Sequence, residues 1–375
     1  MIYLDNSATT KIDKRVLDAM LPWLRDHYGN ASSSYALGRK ARVAVEDARE
    51  EIASFLKAHP AEIYFTSGGT ESNNTILKSA CLSTKIADTV LYSAVEHHAV
   101  LEPAIELARM GFKAIEIPVN SIGVADMAEL QKNNRRNTLV SIMHANNETG
   151  VVNPLHLIRE VADFAYLHTD AVQTFGKIPL DTQALKLDFA SFSAHKIHGP
   201  KGVGAMFIRR GIDFKAHQHG GAQERNRRAG TEPVALIVGM QVAARLAHQN
   251  MEKRARKMQK RITLLKTLVK DIPDIRINTP EQVALPNILN LSFTDANRLD
   301  GQAILQMLDM RGIAVSNGSA CVSGTPQPSH VLKALGLPDA EANAAVRFSV
   351  SKDTTEEEIR EAAGALREIL GEMRG

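Results

Sequence analysis

Lys196 stands in the stretch Ser193-Ala194-His195-Lys196-Ile197-His198-Gly199-Pro200-Lys201-Gly202, directly after the apolar run Phe189 to Ser193. A lysine at the carboxyl end of a strand, inside a turn of small residues, is placed to lose its hydration and form a Schiff base with a carbonyl cofactor. Asp170 follows another apolar run, Phe164 to Thr169, and puts a carboxylate where a protonated pyridine nitrogen needs an anionic partner. The run Glu62 to Thr66 passes into Ser67-Gly68-Gly69-Thr70-Glu71-Ser72, small residues that open a helix. Free backbone N–H groups and the helix dipole there hold a phosphate, with Gly69 and Thr70 as the cup. Each feature alone has an ordinary reading. A Gly-Gly-Thr helix start is a tight turn, an Asp at a strand end is a cap, and a loop lysine is solvated. In this order along one sheet, the phosphate cup, the ring-nitrogen carboxylate and the Schiff-base lysine are together what pyridoxal phosphate requires.

Two cysteines occur in 375 residues. They exclude a disulfide framework and a four-thiolate metal site and favour a reducing, cytosolic setting. Cys81, in a helical stretch, fits a buried small hydrophobe. Cys321 lies among Ser316-Asn317-Gly318-Ser319-Ala320-Cys321-Val322-Ser323-Gly324-Thr325-Pro326-Gln327-Pro328, with no apolar periodicity around it. Such a stretch is expected to form a mobile, exposed loop whose thiolate reaches a substrate and carries the product away. His97 follows the run that ends near Ser93 and points to the same sheet edge, where an imidazole stacks on an aromatic cofactor or shuttles a proton. The pairs His97-His98, His195-x-x-His198 and His217-x-His219 have no cysteine pair or His-Glu-x-x-His arrangement beside them, so no metal is expected.

These residues need a frame. Seven short apolar runs read as buried strands: Glu62 to Thr66, Thr89 to Ser93, Lys113 to Val119, Thr138 to His144, Phe164 to Thr169, Phe189 to Ser193 and Gly204 to Ile208. Most are separated by helix-like stretches, which predicts an α/β fold with a mostly parallel seven-stranded sheet flanked by helices. Ligands then gather beyond the carboxyl ends of the strands. Val45, Ala48, Ile52, Phe55 and Leu56 recur at helical spacing between Gly38 and His59. From about Met251 a basic helical run, the strands Ile288 to Phe293 and Val346 to Ser351, and a terminal helix capped near Thr355 and Glu358 read as a smaller α+β unit. The predicted division is residues 15–253 for the large cofactor domain and 1–14 with 254–375 for the small one, which carries the cysteine loop at about 316–330.

Lys plus Arg number 45 and Asp plus Glu 42, a formal charge of +3, which gives no sign of a nucleic-acid substrate. The basic run 253–261 reads as a solvated helix face. Neither a secretory signal nor a membrane span is visible, so a cytoplasmic enzyme is expected.

The chain resembles the cysteine desulfurases of the NifS/IscS type, fold-type I pyridoxal phosphate enzymes of the class-V aminotransferase family, almost end to end. The resembling segments include Tyr3-Leu4-Asp5-Asn6-Ser7-Ala8-Thr9-Thr10, Phe65 to Asn73, Glu96-His97-His98-Ala99, Asn146-Asn147-Glu148-Thr149-Gly150 and His168 to Gln173. Ser193 to Gly202, Arg227-Arg228-Ala229-Gly230-Thr231, Gly318 to Cys321 and Arg347-Phe348-Ser349 complete them. The resemblance implies that Lys196 holds the cofactor, Asp170 pairs with its ring nitrogen, Gln173 contacts its phenolic oxygen, His97 stacks on the ring and Asn147 lies beside it. It implies a phosphate held by Gly69, Thr70, Ser193 and His195, with Thr231 contributed by the second subunit of a homodimer. Arg347 would grip the substrate carboxylate and Cys321 would accept the sulfur. Ala31, Asn317 and Gln327 depart from the family's usual Pro, Ser and Glu.

The activity implied is sulfur removal from L-cysteine, giving L-alanine and a Cys321 persulfide passed to an acceptor such as an Fe–S scaffold or a thiolation enzyme. The alternatives are a selenocysteine lyase or other pyridoxal phosphate enzyme, or a chain that is chiefly a sulfur-relay interaction protein.

Overall fold

The computed structural model describes residues 1–296, 299–318 and 327–375. Its strands are β1 (Ile2–Tyr3), β2 (Ile63–Thr66), β3 (Thr89–Ser93), β4 (Lys113–Ile117), β5 (Thr138–Ser141) and β6 (Tyr166–Asp170). They continue with β7 (Phe189–Ser193), β8 (Gly204–Ile208), β9 (Ile275–Ile277), β10 (Ile288–Phe293), β11 (Ile313–Ala314) and β12 (Val346–Ser349). The seven expected strands form one sheet in the order β2-β8-β7-β6-β5-β3-β4. Only β8 runs against its neighbours; the pairs from β7 to β4 are parallel. Five of the strands are buried along their whole length, and β6 is buried from Leu167 onward. β4 differs from the fully buried strand the sequence predicts: it occupies the sheet edge, Lys113 and Glu116 are exposed, and only Ile117 is buried. An edge strand has one free flank, and charged side chains there discourage pairing with another chain.

Helices cover both faces. On one, Lys14–Arg25, Ala36–Leu56 and Val234–Gln249 pack with the sheet around Ile52, Phe192, Phe207 and Ile237. Gly239 permits this approach, because a Cβ there would come within 2.6 Å of the Met20 sulfur. On the other face, Gly69–Lys78 and His98–Arg109 pack around Leu77, Val100 and Phe189. Full burial of each such aliphatic or aromatic side chain stabilises the fold by roughly 1.5–3 kcal/mol.

A separate apolar core gathers Ile2 and Leu4 with residues from Met258 onward, including Leu289, Leu291, Phe348, Ile359 and Leu366. β9, β10 and β12 form its antiparallel sheet, and β1 pairs with β11. The terminal helix Glu356–Arg374 begins with the expected capping box between Thr355 and Glu358. No helix among the described residues is long and apolar enough to cross a membrane.

Candidate active site

The carboxyl ends of β6 and β7 and the helix after β2 open on one cavity of about 390 Å³, within the usual size of small-molecule sites. Its wall includes Gly69, Thr70, His97, Asn147, Asp170 and Gln173, together with Ser193, His195, Lys196 and Arg347. Of the residues singled out in the sequence, Thr231 does not line this cavity and is exposed. Cys321 lies outside the described residues, while Gly318, three positions before it, is part of the wall.

Lys196 ends a single turn of 3-10 helix, Ala194–Lys196, that follows β7. Its amine donates to the carbonyls of Ser7 and, at 2.7 Å, Ala8. Burial first, and then the positive charge of Arg347, push it down to about 8, against the opposing pull of Asp5 and Asp170. A lysine so placed has a sizeable fraction of free amine near neutral pH, the form that attacks a carbonyl carbon. His195 beside it is driven to about 4 by burial and the neighbouring lysines, and so is neutral.

Asp170 closes β6. Its Oδ2 accepts a 2.7 Å hydrogen bond from the Asn73 amide and its Oδ1 one of 2.9 Å from the Val172 N–H, so both oxygens are oriented. His97 caps the helix His98–Arg109: its Nδ1 accepts from the Ala99 N–H at 3.0 Å. That bond fixes the neutral tautomer with the proton on Nε2. Burial holds its pKa below the ordinary imidazole value.

Gly69 opens the ten-residue helix Gly69–Lys78. The first N–H groups of a helix have no intrahelical acceptor, and here they border a second recess lined by Thr70, Ser193, His195 and Lys201. A Cβ on Gly69 would lie 2.5 Å from Val172 Cγ2, so only glycine fits between the cup and the turn after Asp170.

Arg347, on β12, brings the small unit to the site. Its Nη2 pairs with Asp5 at 2.6 Å and its Nη1 donates to the Asn147 carbonyl at 3.0 Å, while its Nε is buried without a partner among the described residues.

Several contributors carried no role in the sequence reading. Ser7 and Ala8 reach Lys196 from the other end of the chain, and Asn73 holds Asp170. Glu148, pushed above the ordinary carboxylate range by burial, accepts from Ser329 Oγ at 2.5 Å. It also touches Gly318, where a Cβ would meet its Oε2 at 2.8 Å. Glu148 thus contacts both flanks of the stretch that holds Cys321. The signal for Asn73 and Glu148 is a polar residue beside a Gly-rich or Asn-rich turn at a strand end, which becomes informative once the strands are placed.

The Aminotransferase class-V family matches residues 2–361. The cysteine desulfurase IscS of Dictyoglomus turgidum is 44% identical over 379 residues, spanning 100% of this chain and 95% of that protein. A solved NifS-like protein superposes with a TM-score of 0.92 at 40% identity, covering 99% of each chain. A structure described as SspA in complex with cysteine gives 0.82 at 33% identity, covering 95% of this chain and 100% of that one.

Proposed function

Because the chain belongs to the class-V aminotransferase family and, within it, to the cysteine desulfurases, we propose that it removes sulfur from L-cysteine with pyridoxal phosphate. The products are L-alanine and a persulfide on Cys321. The observation that carries this reading is Lys196: a largely buried amine lowered to about 8, in one cavity with an oriented carboxylate and an open helix N-terminus.

The residues present fit the cofactor. Asp170, held on both oxygens, suits a protonated ring nitrogen. Gly69, Thr70, Ser193 and His195 suit the phosphate, and His97 and Asn147 suit the ring face and edge. Gln173 suits the phenolic oxygen. When bound, pyridoxal phosphate supplies a carbonyl carbon for amines and a ring that takes up an electron pair.

The chain's own part follows from its geometry. Arg347 grips the cysteine carboxylate, for which a planar guanidinium with an unpartnered Nε is suited. Lys196, freed as a neutral amine, takes the Cα proton. His97 presents Nε2–H to the cavity and moves protons there. The Cys321 thiolate attacks the substrate sulfur. A sulfur–sulfur bond forms, the carbon–sulfur bond breaks, and its electron pair stays on carbon, which takes up the former thiol proton to give alanine.

The reading extends to a homodimer in which Thr231 completes the partner's phosphate site, since it is exposed and away from its own cavity. It extends also to a protein acceptor for the sulfur, of Fe–S assembly or thiolation. We assign residues 15–253 to the cofactor domain and 1–14 with 254–375 to the small domain, supported by the separate core that joins Ile2 and Leu4 to residues beyond Met258. Lys196→Ala tests the reading: the purified variant should lack the visible absorption band of the loaded wild type, and an unchanged band would overturn the role given to this lysine.

A further inference from the structure

Lys177 lies four residues beyond Gln173, in the run of turns after β6, and is buried. Its amine donates a 3.1 Å hydrogen bond to Gln173 Oε1. The other end of the same amide, Nε2, donates to the Ser7 carbonyl at 3.0 Å, and that carbonyl also accepts from Lys196. Beside Lys177 is a small recess of about 30 Å³ lined by Asn6, Thr10, Lys196, His198, Arg254 and Asn287, with no carboxylate in its wall. The charges acting on Lys177 are the positive ones of Lys196, Arg254 and Arg347; with burial as the larger cause they bring its amine down to about 7. An amine kept without a counter-ion at such a cost has something other than an ion pair to do.

A glutamine amide can turn over, exchanging its donor and acceptor ends, and only its neighbours decide which end faces which way. Here both neighbours agree. Ser7 offers a carbonyl, which accepts only, and Lys177 has N–H groups to donate in either protonation state. Oε1 is therefore held toward Lys177, and the second N–H of Nε2 is left for the cavity that Gln173 lines. We propose that Lys177 is a positioning residue that locks the Gln173 amide, so that the chain presents a hydrogen-bond donor to the phenolic oxygen of pyridoxal phosphate. The inference rests on the cofactor reading given above. Without Lys177, Oε1 is buried with no hydrogen bond and the amide keeps only its bond to Ser7, so its second Nε2 N–H is no longer held toward the phenolic oxygen.

The test is equilibrium binding to the apo chain of pyridoxal phosphate and of its analogue lacking the phenolic oxygen, for wild type and Lys177→Met. Methionine keeps the length of the side chain and removes a buried amine. The variant should bind pyridoxal phosphate about tenfold more weakly, the size of one lost hydrogen bond, and the analogue as the wild type does. In a Gln173→Ala background the Lys177→Met effect on pyridoxal phosphate should vanish. Unchanged affinity for pyridoxal phosphate, an equal loss for both ligands, or a full effect in the Gln173→Ala background would each overturn the proposal. A wild-type chain that binds neither ligand would instead overturn the cofactor reading.

Discussion

Asn73 Nδ2 donates to Asp170 Oδ2 at 2.7 Å, a buried bond between the helix that opens at Gly69 and the end of β6. One hydrogen bond therefore joins the helix start proposed to hold the phosphate to the carboxylate proposed to face the ring nitrogen. Asn73 Oδ1 has no partner among the described residues, so the side chain's hydrogen bond there is to Asp170 alone. Asp170→Asn removes the charge that keeps a pyridine nitrogen protonated and should lower kcat by at least about 100-fold, roughly 2.7 kcal/mol. Asn73→Ala leaves the charge but frees its orientation, and should cost about tenfold in kcat. Steady-state assays of alanine formation check both; equal, small losses would contradict the assignment.

Gly69→Ala should weaken cofactor binding without unfolding the chain. The added Cβ meets Val172 Cγ2 at 2.5 Å, so the helix start and the turn after Asp170 must part. Overpacking of this kind costs about 1–3 kcal/mol, and a comparable loss in affinity for pyridoxal phosphate is expected by fluorescence titration.

Gly318→Ala should separate cofactor loading from sulfur transfer. Gly318 has φ +95°, and a Cβ there would lie 2.8–3.0 Å from the Glu148 carboxylate. Glu148 is buried and bonded to Ser329, so it cannot easily give way. The backbone strain is about 1–3 kcal/mol and falls next to the segment holding Cys321. The absorption band should persist while sulfide release in the presence of a thiol falls about tenfold.

Acid should destabilise the apo chain between pH 6.5 and 4. Burial holds His168 at about 3 and His144 at about 4, and His168 lies between the hydroxyls of Ser141 and Ser191. A histidine depressed in the native state binds fewer protons there than in the unfolded chain. Its contribution is thus complete above about 6.5 and is lost as pH falls. His168→Gln, which keeps hydrogen-bonding capacity without titrating, should be less stable than wild type at pH 7.5, with the gap narrowing by up to about 3 kcal/mol towards pH 4. Thermal unfolding across this range measures it, and a constant gap would contradict the assignment.

The seven-stranded sheet was legible because most of its strands are short apolar runs closed by turn residues, and with the strand ends came Lys196, Asp170, Gly69 and Thr70. The two-residue strands β1 and β11 carry too few residues for any periodicity, and β9 is largely exposed, with Arg276 and Ile277 facing solvent. Spacing could not reveal that Asp5 meets Arg347, 342 positions away, because one apolar core gathers Ile2 and Leu4 with residues from Met258 onward. Lys177 stood out by no pattern: a single lysine between Gly176 and Ile178-Pro179 reads as solvated until the fold buries it.

The most direct measurement is a single turnover of the loaded chain with sulfur-labelled L-cysteine and no added thiol, followed by mass spectrometry of the protein and quantitation of alanine. Equal amounts of alanine and of labelled persulfide on Cys321 are expected, with neither formed by Lys196→Ala. Absence of alanine from the wild type, or alanine with the label on no residue of the chain, would contradict it.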